Sequence, residues 1–138
     1  MANEAVIIEK FGGEKGRGQR LACADINAIA KGALQGLVDS RTASGSPLIP
    51  AGTGCPFAGI ASTEKVANDG QTTIGLDTLG IYGLYAGEAI PCGHLVVMSG
   101  ANSIRKAIAS DILSGCVIGK ALATATALET IPVMVGVL

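Results

Sequence analysis

The chain has 138 residues, a length that fits one domain or two small halves sharing a core. It contains 20 glycines, which favour many short strands over long helices, and only 3% aromatic and 15% charged residues, against about 25% charged in a typical soluble domain. A net charge of −1 gives no electrostatic basis for binding nucleic acid or acidic membranes, and no apolar run approaches the roughly 20 residues of a membrane-spanning helix.

Residues 1–20 are predicted to form an extended N-terminal arm. They carry seven of the 21 charged residues, and after a β-prone run at 5–8 the glycines of 12–18 alternate with charges. Such a segment cannot bury enough surface to order itself in isolation. It is either a solvated tail or a segment that orders on a partner, and its apolar residues favour the partner. The candidate capsid or oligomer interface residues are Val6, Ile7, Ile8 and Phe11, with Arg17 and Arg20 placed to pair with carboxylates.

Residues 21–38 fit two patterns. Their apolar residues recur at the i, i+3, i+4 spacing of a helix, but Gly32 and Gly36 would each cost a helix about 1 kcal/mol relative to Ala. The stretch also matches residues 86–98, where Pro91 would break a helix. This match favours a strand, a turn and a second strand.

An internal repeat underlies that match. Similar residues recur 61 positions apart, and further downstream the offset slips to 60. A repeat determines how the whole fold is assigned, so we predict one β domain at 21–138 made of two related units of about sixty residues, at about 25–80 and 86–138. The matched residues are Ala28-Ile29 with Ala89-Ile90, Gly32 with Gly93, Leu34 with Leu95, Gly54-Cys55 with Gly115-Cys116, and Gly59 and Ala61 with Gly119 and Ala121.

The rest of the chain has turn signals every 8–12 residues and no long helical pattern. Residues 39–55 are rich in Ser, Gly and Pro and are predicted to form a loop. The turn signal of residues 68–70, Asn-Asp-Gly, predicts a tight hairpin between the run ending near Val66 and residues 71–76. These features predict an all-β fold, a compact sandwich, jelly roll or barrel. The other predicted strands are 57–62, 79–85, 95–98 with 104–108 across a turn, 115–123 and 131–137.

Familiar catalytic and metal-binding patterns are absent from the sequence. The four cysteines are dispersed, and the single histidine, His94, has no carboxylate nearby in the chain. No positive charge lies beside Cys92 to activate it as a nucleophile. The glycine-rich residues 12–18 lack the Gly-Lys-Ser/Thr ending of a phosphate-binding loop. We therefore predict that the protein is not an enzyme and has no metal or cofactor.

Several segments resemble the capsid cement (decoration) proteins of tailed bacteriophages. The run Gly87-Glu-Ala-Ile-Pro-Cys-Gly-His-Leu-Val-Val-Met resembles the family signature x-Ile-x-x-Gly-x-Leu-Val, and Pro56-Phe-Ala-Gly-Ile-Ala resembles its Phe-x-Gly-Val-Ala strand. The resemblance covers roughly residues 26–138 but matches neither the arm nor the loop at 39–55. Further segments in the family's usual order are Ser103-Ile-Arg-Lys-Ala-Ile-Ala, Gly115-Cys-Val-Ile-Gly-Lys-Ala-Leu and Ile131-Pro-Val-Met-Val.

The resemblance implies a compact β domain that binds the outside of an assembled capsid and stabilises it without catalysis. The expected partners are the major capsid protein and further copies of the chain, as a homodimer or homotrimer, with no nucleic acid and no membrane. Self-association also agrees with the scarcity of charge, because residues 42–138 contain only ten charged side chains.

The resemblance implies a location on the capsid exterior of the virion. Assembly is expected in the host cytoplasm, because the N-terminus has an early acid and no basic leader of the kind that begins a signal peptide. The alternative function is a small β-fold module that binds a ligand or a carbohydrate. The four scattered aromatic residues supply a sugar-binding platform poorly.

Overall fold

A computed structural model of the chain describes residues 4–10, 18–23, 25–26, 28–37, 48–50, 56–99 and 102–136. The predicted all-β fold is confirmed, since the regular structure of these residues is strand apart from one helix of five residues. The elements are β1 (Val6–Lys10), β2 (Gly18–Ala22), β3 (Leu34–Leu37), β4 (Leu48–Pro50), β5 (Phe57–Ala61), β6 (Thr73–Asp77), β7 (Gly80–Ala86), β8 (Leu95–Met98), β9 (Ser103–Lys106), α1 (Ala109–Leu113), β10 (Val117–Ala121) and β11 (Glu129–Val135).

The strands form two sheets that repeat one topology. The first sheet has the order β2-β6-β5-β3-β4, and the second has β7-β11-β10-β8-β9 with β1 added beside β7. Strand for strand, β2 corresponds to β7, β6 to β11, β5 to β10, β3 to β8 and β4 to β9. We call the strands of the first sheet the first unit, and β7 to β11 with α1 the second unit.

The correspondence extends to register and to irregularities. Each unit has a register shift at the same place. In the first unit the shift immediately precedes the pair Gly36–Phe57, and in the second it immediately precedes the pair Val97–Val117. Each also contains an isolated β-bridge at an equivalent position outside its strands. The offsets of 60 and 61 residues that relate these positions are those of the sequence repeat. The bridges join Ile29 to Lys65 and Ile90 to Ala125.

Matching turns need the same backbone conformation in both units. Gly32 and Gly93 have φ values of 86° and 88°, in the left-handed region that favours glycine. Their N–H groups donate hydrogen bonds of 2.8 Å to the carbonyls of Ala61 and Ala121, respectively. The glycines of the sequence repeat therefore mark equivalent turns.

The second unit closes into a small barrel. β11 pairs with β7 along its whole length, so β1 and β9 share the other edge of β7. The β7–β9 pairing is parallel and joins Tyr85 to Ser103 and Ala86 to Ile104. The barrel is filled by aliphatic side chains together with the buried Tyr82, and two buried residues of the first unit, Leu34 and Ile60, belong to the same core.

The two units are joined across a hydrogen-bonded seam. Ala5, just before β1, is hydrogen-bonded to the first unit, and β1 then pairs with β7 of the second unit. This segment therefore links the two units. These bonds and the shared core make one packed body of the two units. The bonds across the seam run from Ala5 N–H to the Gly32 carbonyl (2.7 Å), from Leu34 N–H to Asn102 Oδ1 (3.0 Å) and from Phe57 N–H to the Gly115 carbonyl (3.2 Å).

Two predictions about local structure have different outcomes. The strand interpretation of residues 21–38 is confirmed, because the described residues there contain the end of β2, a turn at 31–32 and β3, and no helix. The hairpin predicted around residues 68–70 is wrong. The turn exists, with Asn68 at φ 59°, but β6 pairs with β2 and β5. Lys65, in the predicted partner run, forms a bridge with Ile29 instead.

Part of the stretch predicted as an arm pairs within the domain. β1 lies antiparallel to β7, and β2, which begins at Gly18, lies antiparallel to β6. The first unit thus starts inside residues 1–20, and the second starts at Gly80. Residues 11–17 lie outside the described residues.

Candidate interaction surface

β1 is an edge strand with an apolar surface. It pairs with β7 on one side, and within the described part of the chain no strand pairs with its other side. Val6, Ile7 and Ile8 are between 44% and 64% exposed. Unpaired backbone beside exposed aliphatic side chains is a template for pairing with another strand, which proteins normally blunt with charges, prolines or short length.

The structure brings together three of the six predicted interface residues. Val6, Ile7 and Ile8 follow one another along β1, whose pairing with β7 is bulged between Ile7 and Glu9. Arg20 lies in β2 opposite Gly75, with its side chain outside what the structure describes. Phe11 and Arg17 are outside the described residues.

A second apolar surface, which the sequence analysis missed, surrounds α1. Ile108, Ile112 and Leu113 are between 51% and 92% exposed, and we call these three side chains the α1 patch. The helix follows β9 in the second unit, in a connection four residues longer than its counterpart between β4 and β5.

A charged pair fixes α1 in place. Arg105 donates from Nη1 and Nη2 to the two carboxylate oxygens of Asp111, at 3.0 and 3.2 Å. Asp111 also accepts the Ile108 N–H at 2.9 Å, which satisfies a free donor at the start of the helix. The hydrogen bonds from Arg105, then that from Ile108, hold the pKa of the Asp111 carboxyl below its ordinary value. The α1 patch is therefore presented on a fixed support.

The signal for α1 was present but short. Ile108 and Ile112 are spaced i, i+4, and Asp111 stands three residues after Ile108 as an acid in the first turn does. Five residues span little more than one turn, too few to establish a helical period. The strand predicted at 104–108 therefore includes Ile108, and no helix is predicted after it.

A buried lysine organises the connection between β5 and β6 in the first unit. The Lys65 side chain is fully buried, and its Nζ donates to the carbonyls of Asp25 (2.7 Å) and Val66 (3.1 Å). It also forms ion pairs with Asp69 at 3.2 Å and Asp25 at 3.5 Å. Burial alone would lower the pKa of the ammonium, but the hydrogen bonds and charges of Asp69 and Asp25 outweigh it and raise that pKa. The cluster ties two turns together, and Ala125 takes this position in the second unit.

Acids at the turns bind their own backbone. Asp69 accepts the N–H groups of Gln71 (3.0 Å) and Val66 (3.2 Å), and Glu129, at the equivalent turn, accepts the Thr126 N–H at 2.9 Å and its hydroxyl at 2.8 Å. These hydrogen bonds, first from Gln71 for Asp69 and from Thr126 for Glu129, lower the pKa of both carboxyls. The carboxylates stabilise the turns.

Two depressions lie along the seam. The first, of about 100 Å³, is below the 300–1,000 Å³ of small-molecule pockets. It is lined partly by Ile7, Asp77 and Tyr82, and burial together with the charge of Asp77 raises the pKa of the Tyr82 hydroxyl. The second, of about 440 Å³, is an open groove without charged residues. Its lining is Phe57, Ala58, Thr78, Leu79, Val117, Ile118 and Gly136.

Metal-binding and membrane-spanning features are not found in the described ranges. No three His, Cys, Asp or Glu side chains there come close enough to hold a metal ion. No helix there has the length and hydropathy that crossing a bilayer requires. His94 and Cys92 are exposed beside the Gly93 turn.

No family model matches the chain, and no curated protein matches it. The resemblance to cement proteins therefore rests on the sequence motifs alone. The motifs that resemble cement proteins fall on one strand of each unit, and these strands are not counterparts: the Leu-Val-Val-Met run is β8, after the Gly93 turn, and the Phe-Ala-Gly-Ile-Ala run is β5.

Proposed function

We propose that the chain is a structural virion protein that binds the outer surface of a phage capsid and cements neighbouring major capsid subunits against internal pressure. The observation that carries the proposal is the display of aliphatic side chains on β1 and on the α1 patch of a packed two-unit β scaffold. Exposed apolar clusters of this kind mark interaction sites. The motif resemblance to cement proteins supports the same function.

The exposed aliphatic residues suit a weak site that is repeated many times. Fully burying one such side chain stabilises by about 1.5–3 kcal/mol, so covering the exposed parts of six contributes roughly 6–12 kcal/mol gross. Association costs about 4–15 kcal/mol, which leaves a modest net affinity per copy. A homo-oligomer that engages several capsid sites at once gains avidity over a single copy. Partnership with the major capsid protein and with itself is therefore part of the proposal.

The polar clusters support a structural role over catalysis. The Lys65 cluster, the Arg105–Asp111 pair and the acids at the turns each hold backbone or a neighbouring charge of the same chain. Catalytic groups would instead converge on a space that can hold a substrate. A protein assembled in the host cytoplasm and placed on the capsid exterior needs neither a cofactor nor a membrane.

The alternative, a module that binds a ligand or a carbohydrate, has less support. The first depression is too small for a sugar, and the larger groove offers Phe57 as its single, half-buried aromatic side chain. A flat aromatic platform and convergent polar groups are what such a module requires.

Cosedimentation with expanded shells that lack this protein tests the proposal. Wild-type protein should bind saturably, and Leu113→Ser should bind about tenfold or more weakly, because Leu113 is 92% exposed and its burial contributes up to about 3 kcal/mol. The matched control is Ile26→Ser, which removes an exposed aliphatic side chain from a turn of the first unit. Absence of binding by the wild type, or equal loss in both variants, would contradict the proposal.

A further inference from the structure

We propose that the first depression on the seam is a hydration site, where a small cluster of ordered water joins the Tyr82 hydroxyl of the second unit to Asp77 and Ser62 of the first. The inference concerns the joint between the two units and does not depend on binding to a capsid. It assigns a binding site whose ligand is water, and it gives the two units a polar bridge in addition to their shared core.

The buried hydroxyl of Tyr82 calls for a partner. The side chain is 2% exposed, and its hydroxyl has no hydrogen-bond partner among the described residues. Burial and then the nearby charge of Asp77 raise the pKa of this hydroxyl, but the two groups do not meet in direct hydrogen-bond geometry. Folded proteins pair the large majority of buried polar side-chain atoms, either with protein or with ordered water. A water between the two groups satisfies the hydroxyl.

The depression has the size and the lining that ordered water requires. Its volume is about 100 Å³, and one water takes up about 30 Å³ in the liquid, so there is room for about three. Each water also needs two to four polar partners, and purely apolar cavities stay dry. Besides Tyr82 and Asp77 the lining includes Ser62, whose hydroxyl donates to the Gly75 carbonyl at 3.0 Å and can still accept a hydrogen bond.

The walls of the depression come from both units and from the segment that links them. Tyr82 of β7 belongs to the second unit, whereas Asp77 of β6 and the Gly32 turn belong to the first. Ala5 and Ile7 of the linking segment complete the lining, and the Ala5 N–H donates to the Gly32 carbonyl at 2.7 Å. Water held here therefore bonds to both units at once.

The polar lining departs from the internal repeat. Asp77 pairs with β5 at the place where Met134 pairs with β10. Ser62 corresponds to Leu122, because each donates its N–H at 3.0 Å to a carbonyl of the equivalent next strand. The second unit thus has apolar side chains at both positions, so the fold itself does not require polar groups there. Their presence in the first unit, beside Tyr82, indicates a role at the seam.

Tyr82→Phe tests the site through the sign of its effect on stability. The variant keeps the ring and removes only the hydroxyl. If water bonds to the hydroxyl, the urea midpoint of the full-length chain should fall, by about 0.5 M. If the hydroxyl has no partner, its removal relieves a cost and the midpoint should rise, which would overturn the proposal. The matched control Tyr85→Phe, half-buried on the same strand, should change the midpoint little, and an equal fall there would also overturn it.

A double-mutant cycle tests whether the water is shared between the units. Ser62→Ala and Tyr82→Phe each remove one partner of the same cluster. The fall of the urea midpoint in the double variant should therefore be smaller than the sum of the two single falls, at constant slope. Additive falls would show that the two hydroxyls are bound separately, and would contradict a shared cluster.

A crystal structure identifies the group bonded to the Tyr82 oxygen. The expected result is ordered water within hydrogen-bond distance of both Tyr82 Oη and the Asp77 carboxylate, with at least one water lost or displaced in Tyr82→Phe. A direct hydrogen bond from the hydroxyl to the carboxylate, a Lys31 ammonium in the space, or a depression without ordered water would each overturn the proposal. Shell binding enters none of these measurements, so the hydration site and the proposed function can fail separately.

Discussion

Leu128 carries a conformational cost that its counterpart in the first unit avoids. Its φ is 66°, in the left-handed region, and it is 71% exposed. Asn68, sixty residues earlier at the equivalent turn, has a φ of 59°. Asparagine visits this region readily, whereas other non-glycine residues pay about 1–2 kcal/mol. Leu128→Asn should relieve most of that cost.

The net effect follows from what the leucine side chain buries. About 30% of it is covered, which contributes roughly 0.5–1 kcal/mol. We therefore expect Leu128→Asn to raise the free energy of unfolding by about 0.5–1 kcal/mol, measured by urea denaturation at constant slope. The hydrogen bond from the residue 128 N–H to the Ala86 carbonyl, 2.8 Å long, is unaffected.

Two companion variants separate the cost of the left-handed backbone from the loss of buried side-chain surface. Leu128→Ala loses the same buried surface but keeps the left-handed cost, so it should lower the free energy of unfolding. The reciprocal change, Asn68→Leu, should lower it by about 1 kcal/mol. If Leu128→Asn is destabilised as much as Leu128→Ala, asparagine does not reduce the cost of the left-handed backbone at residue 128. That result would refute the reasoning.

Three other residues give further tests. Gly119→Ala would drive a Cβ into the Met134 carbonyl group, so we expect a loss of about 3 kcal/mol or more in the free energy of unfolding. A loss below about 1 kcal/mol would show that the strands separate easily. Gln35 is buried, and its Oε1 has no partner among the described residues. Gln35→Leu should therefore raise the free energy of unfolding by about 1 kcal/mol, measured as a higher urea midpoint. A lower midpoint would reveal a partner for that oxygen. Arg105 lowers the pKa of the Asp111 carboxyl in the folded state. The ionised carboxylate therefore stabilises the fold above the ordinary pKa of 3.8, and this stabilisation is lost as the pH falls through the folded pKa. Asp111→Asn should flatten the fall of the urea midpoint at acid pH, and an unchanged pH profile would argue against the pair.

The fold class was predictable because glycine spacing and aliphatic composition are local properties. Gly32 and Gly93 announce equivalent turns, and the structure gives both the left-handed backbone that such a turn needs. The strand at Leu34–Leu37 was predicted through its likeness to Leu95–Met98, although its own spacing also fitted a helix. A repeat transfers information from the clearer copy to the more ambiguous one.

Strand partners were less predictable, because they depend on contacts distant in sequence. The residues around Asn68 signal a turn correctly, but the bridge of Lys65 to Ile29 diverts the preceding run away from β6. Nothing local shows that Lys65 is buried among acids or that β9 turns back to pair with β7. These features arise only once both units have folded.

The candidate surface was predicted in part. Val6 to Ile8 stood out because three consecutive aliphatic residues lie among charges, and they do share one exposed strand. The α1 patch was missed because its exposure depends on the Arg105–Asp111 pair, which sets a very short helix outside the barrel. Burial, unlike composition, has to be read from the structure.

We propose that this protein strengthens a shell by covering apolar surface between the shell's subunits. The most direct measurement is the temperature at which expanded shells lacking the protein lose integrity, with and without saturating wild type. We predict a higher temperature with the wild type and a smaller increase with Leu113→Ser at equal concentration. Saturable binding that leaves the temperature unchanged would contradict the claim.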